Sequence, residues 1–478
     1  MAKVKAWKHG TAGEPDFTED FEILKKAVLQ VTDIKTNRNK YYAIELHKGG
    51  AAEFRVFTHY GRTDDLESNP NAGQKECRYF GDLGAAQANY ETIYKQKTSA
   101  RKGYKELNLA SSKIGSQKAM GQSSGAMDQK TIDKIAEAEA KKGKPKKAKP
   151  KIEVPKGVAD LIRYVYAEAT NALTTTVAAK ITANGIETPL GVLTIGQIEK
   201  GEAILSDLYT QFQKKRKNHS KMVDLSGDFY TVVPHRIGRT RSAVADAVID
   251  TIGEFEQKQE TLQLMKDMLQ VNGDEGNVLF EDETGSQYKA LGCTIGALDK
   301  KSGPFKEMAD YILDSQLKSK SIRIKNIYTV KRPGEWDEFT EKIGNQRMLF
   351  HGSRIQNWVG LLSRGILLPK IVVSMGVNRT DAGWLGNGIY FGDTACTSAF
   401  YTTPGKKGTR LMAVARTALG KMKEYKKITY GLNAPPAGYD SCHGLRRTKK
   451  VSSQFDDDEF VIYTTKQQRM EYLVELTV

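Results

Sequence analysis

The sequence predicts a multidomain α+β protein in which a small sheet-plus-helix domain, an all-α helical bundle and a mixed, mainly β domain follow one another. Residues 20–110 contain strand-like runs and then one helix, residues 154–275 repeat apolar residues at helical spacing, and residues 285–478 end in two strands. With 478 residues, 39% of them hydrophobic, the chain has room for two to four domains with real cores.

The first domain is predicted from two strand-like runs and a helix. Tyr41–Leu46 and Phe54–Phe57 are rich in aromatic and aliphatic residues, which favour strands. Ala85–Lys97 has the spacing of an amphipathic helix. The short segment Tyr60-Gly61-Arg62 lies between them and is typical of a turn.

Residues 111–153 are expected to be a lysine-rich flexible linker. Its run Lys141–Lys151 contains seven lysines among eleven residues. Three interpretations stay open: the run binds phosphates without sequence preference, it is a nuclear import signal, or it is a solvated connection. Because it supplies seven charges of the formal net charge of +16, the folded domains are less basic than that total suggests.

Residues 154–275 are predicted to form the helical bundle, because apolar residues recur on one face in three stretches. Thr194 and Gln197 form a capping box, which marks a helix start. The apolar positions are Val158, Leu161, Ile162, Val165 and Tyr166, then Ile198, Leu205, Leu208, Tyr209 and Phe212, then Val244, Val248, Ile252 and Phe255.

Two successive strands are predicted at the end of the last domain, and each carries a glutamate that is a candidate for catalysis. Glu459 opens the run Glu459–Tyr463, and Glu471 lies in Met470–Val474, which alternates apolar and polar residues. Taken alone, Glu459 closes an acidic run at 456–458 that is typical of a solvated loop.

Composition sets further bounds. No stretch approaches 18 apolar residues and the N-terminus has no apolar signal core, so we expect a soluble intracellular protein. The four cysteines are far apart, without a C-x-x-C pair and with too few histidines nearby for a tetrahedral zinc site, so no metal site is expected. The basic balance, with a pI of about 9.3, favours a polyanionic partner.

The most informative motifs lie in the last domain. Leu349–Ser353 reads Leu-Phe-His-Gly-Ser, Gly388–Phe391 reads Gly-Ile-Tyr-Phe, and Ser398 and Tyr401 follow. No G-x-G-x-x-G opens a helix within a βαβ unit, so the usual dinucleotide fold is not indicated. Over about its last 190 residues the chain resembles the catalytic domain of the poly(ADP-ribose) polymerases.

The resemblance implies that NAD+ is consumed as a substrate and that no metal takes part. His351, Tyr390 and a glutamate would be the catalytic residues. We assign the glutamate to Glu459 over Glu471, because the family has a glutamine eight residues after it and Gln467 stands there. The residues that would bind NAD+ are His351, Gly352, Ser353, Asn357, Tyr390, Ser398 and Tyr401.

These residue types suit the chemistry that the resemblance implies. Nicotinamide leaves a pyridinium as a neutral base, so it needs no proton, and the barrier lies in forming an oxocarbenium-like ribose. A carboxylate such as Glu459 can bond the ribose 2′-hydroxyl, favour the cation and act as general base on the acceptor hydroxyl. Tyr390 and Tyr401 would enclose the flat nicotinamide ring, whose carboxamide would bond Gly352 and Ser398.

The two upstream domains resemble the WGR domain and the regulatory domain of the same family. Tyr60 replaces the tryptophan of the WGR motif, while Gly61 and Arg62 match it. The resemblance implies binding of DNA ends, preferably 5′-phosphorylated, with Tyr60 stacking on a base and Arg62 near a phosphate. Alternatively, these residues form only a structural turn. The bundle, which contains Asp228–His235 as in the family, would obstruct the NAD+ site until DNA loosens it, or it is a passive packing layer.

The expected function is therefore DNA-break-activated synthesis of poly(ADP-ribose) on the protein itself and on other proteins, by a monomer that does not bind membranes. The alternatives are mono- or oligo-ADP-ribosylation, and a catalytically silent scaffold at DNA ends. A nuclear location is expected in a eukaryote, and a cytoplasmic or nucleoid location in a bacterium. Departures from the family are Leu367, Trp384, Asn387, Phe400 and the wording of the segment 366–383.

Overall fold

The computed structural model describes residues 6–8, 17–124, 153–177, 179–182, 185–238, 240–271, 284–317, 320–368 and 383–478. It divides into two compact units. One unit comprises residues 1–149 with 173–269, and the other comprises residues 150–172 with 270–478. No helix in these ranges is long and apolar enough to cross a membrane.

The first unit begins with an antiparallel sheet in the order β1-β5-β4-β3-β2-β6. Its strands and the helix that follows β5 are β1 (Ala6–Lys8), β2 (Glu22–Asp33), β3 (Arg38–Lys48), β4 (Phe54–Arg62), β5 (Gln74–Phe80), α1 (Leu83–Thr98) and β6 (Lys105–Glu106). Ala86 and Tyr90 of α1 pack on Ile44 and Val56 of the sheet, so burial of one helix face holds this domain together. Asp82 caps the helix by accepting a hydrogen bond from the Ala85 N–H.

The segment after β6 differs from the expected flexible linker over residues 111–124. Strand β7 (Leu109–Ser112) pairs with β10 (Gly191–Leu193), which continues through β9 (Gly185–Glu187) to β8 (Lys180–Thr182). Ile114 is fully buried, and the Ser116 N–H and hydroxyl both donate to buried Glu45. Composition alone indicated a solvated segment, but a buried carboxylate requires hydrogen-bond donors, and this segment provides them. Lys141–Lys151 lies outside the described residues.

The predicted helical region is formed by α2 (Lys156–Thr176), α3 (Ile195–Phe212), α4 (His219–Val232), α5 (Arg241–Ala245) and α6 (Ile252–Val271). As the capping box predicted, α3 begins after Thr194, whose hydroxyl accepts from the Gln197 N–H. The Gln197 side chain does not complete the box, because it donates to the Val232 carbonyl and accepts from the Asn108 N–H. The short strands β8 to β10 add a small sheet to what the spacing predicted as purely helical.

The C-terminal domain is a large mixed sheet in the order β11-β12-β19-β15-β13-β14-β18-β17-β16. Its strands are β11 (Thr294–Ala297), β12 (Arg323–Lys331), β13 (Gln346–Gly352), β14 (Ile389–Gly392), β15 (Arg410–Ala418), β16 (Met422–Tyr425), β17 (Ser441–Gly444), β18 (Glu459–Ile462) and β19 (Gln468–Thr477). Its helices are α7 (Thr284–Ala290), α8 (Gly303–Asp314), α9 (Pro333–Glu338), α10 (Trp358–Arg364) and α11 (Ala395–Phe400).

The two predicted terminal strands are β18 and β19, but they are not neighbours in the sheet. β18 lies between β14 and β17, whereas β19 lies between β12 and β15. One apolar cluster joins α8 and α11 to the central strands through residues such as Ile312, Phe350 and Val474. A second cluster around Phe455 and Val461 lies beside β18. Burial of these faces fixes the strand positions, and with them the residues of the motifs.

Candidate active site

The histidine of the His-Gly-Ser motif is fixed by the strand next to its own. His351 lies near the end of β13, and its Nδ1–H donates to the Tyr390 carbonyl oxygen on β14, 2.9 Å away. This bond leaves Nε2 as an acceptor in the neutral ring. Burial lowers the pKa of His351, so the ring stays neutral near pH 7. A neutral imidazole in this position can accept a hydrogen bond from a sugar hydroxyl.

The tyrosine of the Gly-Ile-Tyr-Phe motif has its hydroxyl engaged by the preceding loop. The Tyr390 hydroxyl donates to the Gly386 carbonyl at 2.7 Å and accepts from the Leu385 N–H at 2.9 Å. A side chain at Gly383 would overlap the Tyr390 hydroxyl, and Gly383 has a φ of +55° that favours glycine. Burial raises the pKa of Tyr390, so its hydroxyl keeps its proton. Tyr390 is therefore available as a ring surface and not as an acid or base.

Gly352 and Ser398 bring two backbone segments into close contact beside these residues. A side chain at Gly352 would overlap the Ser398 carbonyl group, so this approach requires glycine. The Ser398 hydroxyl, near the end of α11, donates to the Phe350 carbonyl at 2.9 Å and can still accept a further bond. Tyr401 directly follows α11 and is 61% exposed, so its ring is free of the core. Backbone groups beside an exposed ring are the kind of partners that a flat group bearing a carboxamide requires.

Ser353 directly follows Gly352 and contacts Asn357. The Asn357 Nδ2–H donates to the Ser353 hydroxyl at 3.2 Å, across the turn that leads into α10. Both side chains are partly exposed. Their predicted role in binding NAD+ therefore concerns the edge of the site.

Glu459, at the start of β18, is flanked by glycines on both neighbouring strands. Its cross-strand partners are Gly392 on β14 and Gly444 on β17. Glycines place no side chain beside the carboxylate. Among the described residues, the carboxylate has no hydrogen bond and no ion pair. Burial, and then the charge of Asp457, raise the pKa of Glu459 to about 7.

Glu471, the rival candidate, lies on β19 and is bound on two sides. Its carboxylate accepts from Arg416 Nε at 2.7 Å and from Arg469 Nε at 3.0 Å. A carboxylate held by two guanidinium groups is a structural ion pair, so these contacts favour Glu459 for catalysis. Gln467, used as a marker for Glu459, is itself buried and donates to the Ala418 and Asp440 carbonyls.

The charged groups that surround the start of β18 were not predicted from the sequence. Arg446 contacts Asp393, Asp457 and Asp458, and His443 also bonds Asp458. The only signal in the sequence was the acidic run at 456–458. Interpreted as a solvated loop, this run needed no cationic partners. Three carboxylates close together require cations, and this need was the available clue.

The departures from the family lie around the site. Trp384 is 37% exposed and packs edge-on against Phe455, with ring centroids 5.8 Å apart. Asn387 is buried and donates to Asn433 at 2.6 Å. Phe400 is 85% exposed, and Leu367 is partly buried. Most of the segment 366–383 lies outside the described residues.

In the first domain, the predicted DNA-binding residues lie at the end of strand β4 and not in a turn. Tyr60 stacks on Tyr42, with ring centroids 5.2 Å apart, and the Lys97 ammonium lies over both rings. The Arg62 guanidinium bonds Asp64 and the Asn37 carbonyl. A side chain at Gly61 would come within 3.0 Å of Gly73. An aromatic stack beside a cation is one that nucleic-acid bases can extend.

The C-terminal sheet therefore places a neutral histidine, a tyrosine ring and an unpaired carboxylate on three adjacent strands, β13, β14 and β18. On these strands lie residues that the resemblance implied for an NAD+ ADP-ribosyltransferase. No group of three His, Cys, Asp or Glu residues suited to a metal ion occurs in the described part of the chain.

Family models match three successive stretches of the chain. They are the WGR domain at residues 25–110, the poly(ADP-ribose) polymerase regulatory domain at residues 153–273, and the poly(ADP-ribose) polymerase catalytic domain at residues 302–478. The chain belongs to the poly(ADP-ribose) polymerase family.

Individual relatives show how much of the chain is shared. Human protein mono-ADP-ribosyltransferase PARP4 is 34% identical over 323 residues, which are 67% of this chain and 18% of that protein. A poly [ADP-ribose] polymerase of Drosophila melanogaster is 27% identical over 436 residues, 88% of this chain and 40% of that protein. Mouse protein mono-ADP-ribosyltransferase PARP3 is 24% identical over 503 residues, 96% of this chain and 88% of that protein. The chain thus spans less than a fifth of human PARP4.

Proposed function

We propose that this protein is a DNA-break-activated enzyme that transfers ADP-ribose from NAD+ to itself and to other proteins and extends it into poly(ADP-ribose). The observation that carries the catalytic part is Glu459, an unpaired carboxylate between two glycines, on the strand next to Tyr390. An acid with a pKa near 7 exists in both protonation states at neutral pH, as a general base requires.

The residues divide the work of the transfer. Gly352 and Ser398 hold the nicotinamide carboxamide, and the rings of Tyr390 and Tyr401 enclose the nicotinamide. The neutral His351 accepts a hydrogen bond from a ribose hydroxyl and so orients the sugar. The ionised Glu459 stabilises the positive charge that develops on the ribose as nicotinamide departs, and then removes the proton of the attacking hydroxyl.

DNA activation is supported by contacts within the first unit. The Thr32 N–H at the end of β2 donates to the Thr231 hydroxyl of α4 at 2.7 Å. Lys35 and Lys105 form ion pairs with Asp224 and Asp228 of the same helix, at 2.6 and 2.8 Å. DNA held by the sheet domain therefore acts on a helix that packs directly against it.

In the second unit, the N-terminal part of α2 contacts the loop that follows Tyr401. The Tyr164 hydroxyl donates to the Thr409 carbonyl at 3.0 Å, and the Lys406 N–H donates to Glu168 at 2.7 Å. A change in α2 thus reaches the loop that directly follows Tyr401, whose ring belongs to the proposed nicotinamide pocket. This contact gives the N-terminal part of α2 a physical route to substrate binding.

A second product class is favoured by the names of two relatives. PARP4 and PARP3 are both named mono-ADP-ribosyltransferases. Glu459 favours polymer, because chain growth needs a base for a sugar hydroxyl. Gel migration after incubation with NAD+ separates the two products, since polymer gives a smear and a single unit gives a sharp shift.

The experiment that tests the proposal measures nicotinamide release and incorporation of labelled NAD+, with and without short duplexes that have 5′-phosphorylated ends. We expect DNA to raise turnover at least tenfold. Turnover that is equal with and without DNA would remove the activation step, and no turnover in either condition would favour a silent scaffold at DNA ends.

Variants of the first domain test the DNA contact. Tyr60→Ala is expected to weaken binding of the duplex by about fivefold to 100-fold, because stacking on a base contributes about 1–3 kcal/mol. Tyr60→Phe is the matched control, since it keeps the ring and loses only bonds to Gln74 and Glu76. Equal binding by Tyr60→Ala and Tyr60→Phe would mean that Tyr60 is only a structural residue.

A further inference from the structure

A cluster of charged side chains surrounds the point where the chain enters β18. Arg446 Nη2 lies 2.7 Å from Oδ1 of Asp393, the residue that follows β14. The same guanidinium lies 3.8 Å from Asp457 and 3.6 Å from Asp458, the two residues before Glu459. One arginine thus connects the ends of β14 and β17 to the loop that leads into β18.

The backbone and a histidine complete this connection. The Arg446 N–H donates to Asp458 Oδ1 at 3.1 Å, and His443 Nε2–H donates to the same atom at 2.7 Å. The His443 ring stacks on Phe460, with centroids 4.4 Å apart. Asp458 and Phe460, the residues on either side of Glu459, are therefore both held by the segment 443–446. This arrangement fixes the backbone of Glu459 without using its carboxylate.

Arg446 is largely buried, with 18% of its side chain exposed, and it contacts three carboxylates. The next residue offers a contrast, because Arg447 pairs with Asp456 and both side chains are more than half exposed. An exposed pair contributes about 0–1 kcal/mol, whereas loss of a buried cation leaves its carboxylates uncompensated. The two adjacent arginines therefore have different roles.

We propose that Arg446 is a positioning residue for the transfer reaction, which holds Glu459 in place and screens it from the charge of Asp457. The proposal rests on the catalytic role proposed for Glu459. Arg446 acts through Asp457, Asp458 and Asp393, so its effect falls on Glu459 and not on Gly352 and Ser398, the groups proposed to hold nicotinamide.

The charges that face this region set the direction of the effect. Glu459 is influenced by Asp457 on its own segment and lies near the hydroxyls of Tyr390 and Tyr401. His443 on β17 and Arg446 just after it face Asp458, and Asp393, which follows β14, faces Arg446. Without the guanidinium, the Asp457 charge acts on Glu459 with less compensation. The pKa of Glu459 then rises further. Because a base must be ionised to act, the enzyme becomes active only at higher pH.

The test compares Arg446→Gln, Arg446→Lys, Asp457→Asn and the double variant Arg446→Gln/Asp457→Asn, with Arg447→Gln as the matched control. The readouts are kcat and KM for NAD+ from pH 5.5 to 9, measured on the full chain with activating DNA. We expect Arg446→Gln to lower kcat about tenfold and to change KM for NAD+ less than about threefold. The acidic limb, which is the part of the pH profile where kcat falls as the pH drops, should move to higher pH by about half a unit.

The other variants separate charge from packing. Asp457→Asn is expected to move the acidic limb downward, and the double variant is expected to lose the upward shift. Arg446→Lys keeps the charge and should restore the limb while kcat stays intermediate, because an ammonium cannot bond the carboxylates as a fork. Arg447→Gln should leave kcat within about twofold of the parent protein.

An unshifted limb in Arg446→Gln, with Arg446→Lys no better than Arg446→Gln, would overturn the proposal and leave a purely structural arginine. If Arg446→Gln fails to fold, Asp457→Asn and Arg446→Lys decide, and an unshifted limb in Asp457→Asn would overturn it. Failure of the proposed function is recognised separately: Glu459→Gln would then keep the activity and the acidic limb of the parent protein.

Discussion

The last two strands of the catalytic domain each carry a glutamate, yet the two carboxylates have opposite surroundings. Glu471 on β19 is held by Arg416 and Arg469. Glu459 on β18 lies between glycines, and the charge that acts on it is the like charge of Asp457. The difference supports the proposal that Glu459 is the reactive carboxylate, because a carboxylate tightly paired with cations is too stable to act as a base.

Substitution of the two glutamates by glutamine is expected to give the largest difference. Glu459→Gln keeps the shape and removes the charge, so we expect kcat for NAD+ turnover to fall by about 10²–10⁴, the range typical of a general base. Glu471→Gln should change kcat less than about threefold, because its side chain bonds arginines outside the proposed pocket. The measurement is labelled-NAD+ incorporation with activating DNA.

Melting curves of both variants serve as the control, since a folded Glu459→Gln shows that the loss is chemical. The reverse pattern, in which Glu471→Gln is inactive and Glu459→Gln is active, would exchange the two assignments.

The pH dependence of turnover is the next largest effect. Since Glu459 must be ionised and its pKa is raised to about 7, kcat should fall about tenfold per unit as the pH drops below 7. A carboxyl with its ordinary pKa would place this limb near pH 4.5. His351 does not produce the limb, because burial lowers its pKa and it is neutral on both sides of pH 7. A profile that is flat from pH 8 down to pH 5.5 would contradict the raised pKa.

For stability, the larger loss is expected on β19 and not on β18. Glu471→Gln leaves Arg416 and Arg469 without their carboxylate, so the catalytic domain should lose about 1–3 kcal/mol of unfolding free energy. Thermal or urea unfolding measures the loss. The matched control is Glu424→Gln, whose glutamate lies on β16 in an exposed position and should change stability by less than about 0.5 kcal/mol. Equal stability of the two variants would mean that the arginine contacts of Glu471 contribute nothing.

The sequence predicted the three-part architecture, because apolar spacing and the local motifs agree over long stretches. His351, Tyr390, Ser398 and Glu459 could be proposed through the family resemblance that those motifs carry. Their environment could not be predicted, since it depends on contacts between distant strands. The pairing of Glu459 with Gly392 and Gly444, and the contact of Arg446 with Asp393, join residues whose separation in sequence carries no signal.

The expected linker shows the same limit in the first domain. Small polar residues at 111–124 resemble a solvated segment, and nothing in their spacing reveals that Ser116 bonds Glu45, 71 positions away. The turn expected at Tyr60-Gly61-Arg62 also differs, because strand pairing with Lys40–Tyr42 continues β4 to Arg62. Pairing with distant strands overrides local turn preference in that segment.

The smallest expected effect is a gain in stability from Glu459→Gln, the substitution that is expected to lower kcat most. Because the pKa of Glu459 is raised to about 7 in the folded protein from 4.5, the folded state binds more protons than the unfolded state between those values. Stability of the parent protein therefore falls as the pH rises from 4.5 to 7, and the full cost remains above 7.

Glutamine does not titrate, so Glu459→Gln should gain stability over the parent as the pH rises through this window. We expect about 1 kcal/mol at pH 8, reduced by the partial exposure of the site, and no difference from this source at pH 4. Urea unfolding of both proteins at several pH values measures the gain. A Glu459→Gln protein that is less stable than its parent at pH 8 would mean that the carboxylate stabilises the fold, as Glu471 does. Glu459 would then be a second structural carboxylate, and the contrast between the two strands would disappear.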